Sequence, residues 1–152
     1  MILETLRTLF RRDLEKLKKE ISLYTNENKI WYTEKAISNS AGNLFLHLVG
    51  NLNTYIGAEL GNSGYIRNRD LEFSLKDIPQ QELIEKVEDT ITVVESTLDK
   101  MTEDQLNKEY PALVFKEKTS IEYMLIHLAT HLGYHLGQVN YHRRLLDDSS
   151  ES

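Results

Sequence analysis

Four long segments of the chain place apolar residues at steps of three and four, the spacing that gathers them on one face of an α-helix. Charged and polar residues fill the positions between them, as in amphipathic helices that pack together in water. A single helix cannot bury such a face alone, so the pattern predicts an all-α protein and, with four helices, a four-helix bundle. The predicted helices cover residues 2–24, 40–60, 77–101 and 119–146.

The connection between the second and third predicted helices stands out. Residues 65–78 show no helical period and are numerous enough to cross the bundle or to cover one of its ends. The third helix is expected to begin at Asp77, which with Gln80 fits a capping box, and a second capping box, Thr119 with Glu122, is expected to start the fourth. We therefore predict a long crossover between helices two and three, and two short connections elsewhere.

Length and composition limit what the chain can do. Its 152 residues suffice for a single domain, expected over 1–146, with residues 147–152 forming an acidic, disordered tail. A net charge of −6 argues against nucleic acid or an anionic membrane as a partner. The chain has no cysteine, which excludes disulfides and thiolate metal sites. Neither a signal peptide nor a membrane-spanning apolar stretch is visible, so a cytoplasmic protein is expected.

Histidines are the main chemical feature of the sequence. His127, His131 and His135 follow one another at steps of four and would stack along the fourth helix, whereas His47 lies in the second. Imidazoles four positions apart can share one ion, but those eight positions apart are separated by about 12 Å along the axis. One ion can therefore bind His127 with His131, or His131 with His135. The second pair points nearer to the predicted core, and His47 would supply a third ligand.

Spacing alone leaves another interpretation open, because histidines on an apolar face also occur as hydrogen-bonded core residues. His127 is expected beside the site or at the surface, and His142 at the surface, where its charge suits a helix C-terminus. If an ion is bound, three imidazoles leave at least one coordination position open, as in catalytic sites. Such a donor set suits zinc or nickel best, with iron, cobalt or copper as alternatives.

Two segments carry a resemblance to a known family. NSAGNLFLHLVGNL, residues 39–52, together with HLATHLGYHLGQ, residues 127–138, resembles the DinB-like superfamily of metal-binding four-helix bundles, and within it an uncharacterised subfamily. The resemblance extends over nearly the whole chain. It implies a bundle with a long crossover after helix two, a divalent ion held by His47, His131 and His135, and often a homodimer. Members commonly carry an arginine after the last histidine, where this chain has leucine, so their substrates do not transfer.

The residues and the resemblance together leave three hypotheses for the function. Some relatives are thiol-dependent S-transferases or isomerases and others metal-dependent hydrolases, so an enzyme acting on a small molecule or thiol is one hypothesis. A non-catalytic metal- or ligand-binding bundle with a stress-related or scaffold role is the alternative, and a helical dimerisation domain with core histidines is a third. No general base stands out, and Glu59 is named only as a nearby carboxylate. Further residues that could orient the ligands or bind substrate are Asn43, Asn51, His127, Gln138, Arg67 and Arg69. The two arginines, in the long connection, could bind a carboxylate.

Overall fold

The chain folds into helices, as the periodicity predicts. A computed structural model describes residues 1–147, and within this range no β-strand forms. No helix among these residues is both long and apolar enough to span a bilayer. The expected acidic tail lies outside the described residues except for Asp147, whose carboxylate accepts hydrogen bonds from the backbone N–H groups of Thr25 and Asn26.

Three α-helices are long and three are short or interrupted. A π-helical segment, Asn53–Ala58, joins α2 to α3 without a break, and two 3-10 turns cover Glu27–Trp31 and Glu103–Asn107. The α-helices are α1 (Ile2–Leu23), α2 (Ala41–Leu52), α3 (Glu59–Gly61), α4 (Arg69–Ser74), α5 (Gln80–Asp99) and α6 (Ile121–Leu146).

Helix α1 packs between α5 and α6. It runs antiparallel to α5, because Arg7 near its start donates to the Leu98 carbonyl at 3.3 Å, while Lys18 near its end pairs with Glu88 at 2.9 Å. It runs parallel to α6, where the Glu20 carboxylate accepts hydrogen bonds from side chains of the last two turns. The apolar face of α1 is fully enclosed by these neighbours.

Helix α2 and the π-helical segment complete the packing on the opposite side. They run parallel to α5, since the Asn53 amide donates to Thr90 at 3.0 Å and Gly61 meets Thr97 about two turns further along both helices. They run antiparallel to α6. Helices α1 and α6 therefore point one way, and α2 and α5 the other.

The crossover follows from these directions. Because α2 and α5 are parallel, residues 62–79 must carry the chain back along the length of the molecule, and α4 lies within this return. The Asn43 side chain fastens the return to α2 by donating to the carbonyls of Glu72 and Leu75, each at 2.9 Å. The expectation of two short connections elsewhere is wrong: residues 24–40 and 100–120 are of comparable length and fold back onto the helices through their 3-10 turns.

Two predicted helix starts are also displaced. Asp77 has a φ of +61° and does not cap α5, which begins at Gln80 after Pro79. The Gln80 amide instead donates to the Ile21 carbonyl at 2.7 Å, fixing the end of α1. Helix α6 is capped by Ser120, whose hydroxyl accepts the Tyr123 N–H at 3.0 Å, rather than by the preceding threonine. In both places a contact distant in sequence or a neighbouring polar residue outweighed the local pattern.

Helix α2 is buried on nearly every side, with Phe45, Leu48 and Leu52 fully enclosed. Two glycines let neighbouring side chains lie directly on its backbone. The Trp31 indole occupies the space that a Cβ at Gly42 would need, and the Glu72 carboxylate occupies that of Gly50. The α1–α2 connection and the crossover thus both pack tightly against this one helix.

Candidate metal centre

Helix α2 supplies the first residue of the centre. Its first turn is fixed by Ser40, whose hydroxyl accepts the Asn43 N–H at 3.1 Å, a side-chain cap of the kind that stabilises helix starts. His47 follows one turn later, on the face toward α6, and is only 8% exposed. A polar side chain buried on a core face requires partners, and those of His47 come from three other elements.

Helix α6 brings two further histidines to His47. One ligating nitrogen each of His47, His131 and His135 lies within 4.8 Å of the others, and the Nε2 atoms of His47 and His131 are 3.3 Å apart. The His135 ring stands edge-on to both, with centroid distances of 5.4 Å to His47 and 4.6 Å to His131. The three imidazoles therefore converge on one point between α2 and α6.

The crossover supplies a carboxylate behind His47. Glu72 Oε1 lies 3.2 Å from His47 Nδ1, and Arg67 donates to the same carboxylate from Nε at 2.8 Å and from Nη2 at 3.0 Å. Burial alone would raise the pKa of Glu72, but the hydrogen bonds from His47 and Arg67 outweigh it and lower that pKa. The buried carboxylate is therefore an ionised acceptor, held by an arginine fork.

These contacts orient two of the imidazoles. Arg67 Nη2 also lies 3.4 Å from His47 Nδ1, but it is already engaged by Glu72, so His47 Nδ1–H donates to the carboxylate. In the same way, His135 Nδ1–H donates to the Gln138 side-chain oxygen at 2.6 Å. A neutral imidazole that donates from Nδ1 keeps its lone pair on Nε2. Both residues thus direct a free lone pair away from these partners.

The surroundings of His131 keep its ring in the neutral form. Burial lowers its pKa to about 4, with smaller contributions from the neighbouring His135 and His47. The ring is therefore neutral at pH 7, which is the form that binds metal ions. Among residues 1–147 no hydrogen-bond partner reaches its buried Nδ1 atom, so this nitrogen is not satisfied as the polar atoms of a core histidine usually are.

The donor set fits a divalent ion. Two nitrogens that bind one tetrahedral zinc ion at 2.0–2.1 Å each are separated by about 3.3–3.4 Å, and the Nε2 atoms of His47 and His131 are 3.3 Å apart. Carboxylates and amide oxygens behind the outer ring nitrogen are the usual partners of metal-bound histidines. Glu72 and Gln138 stand in these positions for His47 and His135.

Two other candidate residues lie close to the three histidines. His127 does not join the group: its ring is 6.2 Å from that of His131 and packs edge-on against Phe115 at 4.8 Å. Asn51 is buried one helical turn beyond His47, and its Oδ1 atom has no partner within the described part of the chain. Both residues border the centre without belonging to its nitrogen set.

The remaining candidates have other roles or lie elsewhere. Asn43 binds the backbone of the crossover, and Arg67 is engaged by Glu72. Arg69 is exposed and lies over the Phe73 ring at 5.6 Å, and Glu59 is exposed on α3. Arg67 is thus not free to bind a carboxylate of a ligand, whereas Arg69 is exposed and lies outside the three-histidine group.

Sequence reasoning missed Glu72 and Phe73, whose ring lies 5.2 Å from that of His47. Residues 65–78 carry no helical period because α4 is only six residues long, too short to show one. One signal was present. Asn68 is followed by acidic residues in the next turn, and its side chain accepts the Leu71 N–H at 3.3 Å as a helix cap.

His142 is buried rather than exposed, contrary to expectation. Its Nδ1 accepts the Tyr24 hydroxyl at 2.6 Å, and its Nε2–H donates to the Tyr32 carbonyl at 2.8 Å. Burial lowers its pKa, and the hydrogen bond to Tyr32 offsets this only in part. This ring ties the end of α6 to the end of α1 and to the following connection.

Protonation of His142 is expected to make the fold sensitive to acid. Since its pKa is lower in the folded state, the unfolded chain binds more protons below about pH 6.5. This contribution to stability is complete above that pH and is lost progressively below it. In urea titrations with a chelator present, the unfolding free energies of wild type and His142→Gln should converge from pH 7.5 to 5. Glutamine can make both hydrogen bonds but cannot be protonated, so a constant difference would contradict the assignment.

Comparison with known proteins gives a family but no activity. The model of the family described as "protein of unknown function (DUF1572)" matches residues 1–151, almost the full chain. None of the curated proteins matches this chain. The function must therefore be inferred from the arrangement of the side chains.

Proposed function

We propose that this chain, which belongs to the DUF1572 family, binds one divalent metal ion through His47, His131 and His135. The observation that carries this proposal is the convergence of three imidazole nitrogens within 4.8 Å, two of them at the separation expected for ligands of one ion. No cysteine competes for the ion. Zinc and nickel are the ions that such a set suits best.

We further propose that the fold is a four-helix bundle of the DinB-like type. The directions of α1, α2, α5 and α6 support it, since the first and last point one way and the middle two the other. That order requires a crossover between the two parallel helices, and residues 62–79 provide one. Bundles commonly bind metal ions through side chains that facing helices project into the core.

The proposed activity is thiol S-transfer or hydrolysis of a small molecule. An ion held by the three histidines would act as a Lewis acid that lowers the pKa of a thiol or water bound to it. The chain's own residues would hold and orient the ligands: Glu72 fixes His47, and Gln138 fixes His135. Their role is to keep the ring nitrogens aimed at one point, which sets the geometry of any reaction there.

One observation favours the non-catalytic alternative. A hydrolase generally needs a group that accepts and returns a proton, and the carboxylate nearest the centre, Glu72, is buried and engaged by Arg67. No other aspartate or glutamate joins the histidine group within residues 1–147. Thiol transfer would depend less on a separate base, because an ion at this centre would itself favour loss of the thiol proton. A stable metal- or ligand-binding bundle without turnover remains the second candidate function.

The metal content of tag-free protein tests the proposal. We expect about one ion per chain by mass spectrometry after incubation with zinc and desalting. His47→Ala, His131→Ala and His135→Ala should each retain much less, since two remaining imidazoles bind weakly. His127→Ala is the matched control and should keep the ion, because its ring is outside the group. Wild-type protein that takes up neither zinc nor nickel would refute the proposal.

A further inference from the structure

A groove beside the histidines forms between α6, α2 and the α1–α2 connection. Its volume is about 450 Å³, within the range of small-molecule sites. Its walls are mostly apolar and aromatic, and the residues that define them are Ile37, Leu44, Tyr134, Tyr141 and Leu145. Several of these side chains are substantially exposed, Tyr134 by 66% and Leu145 by 68%. A ligand would remove this apolar surface from water.

The groove and the candidate metal centre share a residue. His135 lines the groove and also belongs to the three-histidine group. Gln138, which accepts its Nδ1–H, lines the groove as well. A molecule in the groove therefore has mostly apolar walls along its body and two polar side chains beside the metal centre, with Ser38 and Asn39 as further polar lining residues. This is the combination that small-molecule sites use to fix the orientation of a ligand.

Charge is missing from this surface. None of the described residues that line the groove is an aspartate, glutamate, lysine or arginine. The buried His142 is no substitute, because Tyr24 and Tyr32 occupy both of its ring nitrogens. The arginine next to the centre, Arg67, is already neutralised by Glu72. Along the walls away from the histidines, an anionic group would lose hydration without gaining an oppositely charged partner, which is costly.

We propose that the groove binds an uncharged, predominantly apolar small molecule whose polar end lies beside His135 and Gln138. The proposal deepens the proposed function by naming the substrate class, and it rests on that function only in placing a metal ion near the polar end. The apolar walls and the absence of charge stand without any ion. This class of ligand differs from the carboxylates that the arginines of the crossover had suggested.

Matched probes test the proposal by calorimetry on the zinc-loaded full chain. Acetohydroxamic acid reports the metal alone, 4-phenylbutanohydroxamic acid adds a neutral apolar tail, and the same molecule with a para-carboxylate adds charge. We expect the phenyl tail to tighten binding at least tenfold and the carboxylate to remove most of that gain. The double variant Ile37→Ser, Leu145→Ser should reduce the gain while leaving acetohydroxamate affinity unchanged. Leu113→Ser, an exposed apolar residue outside the groove, is the control.

A further probe separates this proposal from the metal centre. 4-Phenylbutanamide has the same tail but chelates weakly, and it should bind the chelator-treated protein and lose affinity in the double variant. Amide binding in a protein that never takes up zinc would support the groove and refute the centre. Zinc uptake with equal affinities for all three hydroxamates would overturn the groove proposal. So would preferential binding of the carboxylate probe.

Discussion

Replacing Gly50 with alanine is expected to weaken zinc binding by about ten- to a hundredfold, the usual effect of losing a residue that orients a metal-bound histidine. The new methyl group would occupy the position of the Glu72 carboxylate, which lies directly on the α2 backbone at Gly50. Glu72 would have to move, and its contacts with His47 and Arg67 would break together. Competition with a chromogenic chelator measures the change in the dissociation constant.

Gly137→Ala provides the matched control for this substitution. No heavy atom lies within 4 Å of a Cβ built at Gly137, so this alanine meets open space. In a helix interior it should raise the unfolding free energy by roughly 0.5–1 kcal/mol, because alanine restricts the unfolded chain more than glycine does. Zinc affinity should stay at the wild-type value. Wild-type affinity in Gly50→Ala as well would mean that Glu72 does not position His47.

Phe45→Ala is expected to lower the unfolding free energy by about 3–5 kcal/mol, the typical loss when a large buried aromatic residue is truncated. Phe45 has no exposed surface and sits on α2, which is enclosed by its neighbours, so the surrounding residues have little freedom to fill the cavity. Urea denaturation followed by circular dichroism measures the loss.

Phe45→Leu should cost less, roughly 1 kcal/mol, since most of the volume is kept. This second variant preserves the test should the alanine variant prove too unstable to purify. Leu113→Ala, at a residue that is 62% exposed, is expected to change stability by about 0.5 kcal/mol or less. Equal losses in the buried and the exposed variants would contradict the packing of α2 described above.

Periodicity sufficed for the main helices and failed where structure depends on distant contacts. The apolar faces of α1 and α6 could be recognised in the sequence because a long helix repeats its apolar positions many times. Helix α4 could not be recognised in this way, since six residues are too few for an apolar pattern to repeat. The start of α5 was misplaced because its first side chain, Gln80, binds the carbonyls at the end of α1, 56 to 59 positions earlier.

The candidate site divides in the same way. Spacing allowed His131 to pair with His127 or with His135, and the predicted direction of the core favoured His135; the apolar neighbours of His47 placed it on or beside the inward face of α2. Glu72 could not be found, because only the folded crossover brings it to His47, 25 positions away. His142 was misjudged for a similar reason: its partner Tyr24 is 118 positions away and leaves no local trace. Local patterns report which residues face a core, whereas hydrogen-bond partners across the fold are fixed only by its topology.

The π-helical segment Asn53–Ala58 has a consequence for how the two ends of this long helical stretch can evolve. A π turn takes up about one residue more than an α turn, and each residue of an α-helix rotates the chain by about 100°. The segment therefore changes the angle about the helix axis between two residues. One is His47, which faces α6, and the other is Gly57, which meets Val93 of α5. The direction of His47 and that of the Val93 contact are thus related through the π-helical segment rather than by the α-helical repeat alone. Changes at either end remain constrained by packing, since α2 is itself buried on nearly every side.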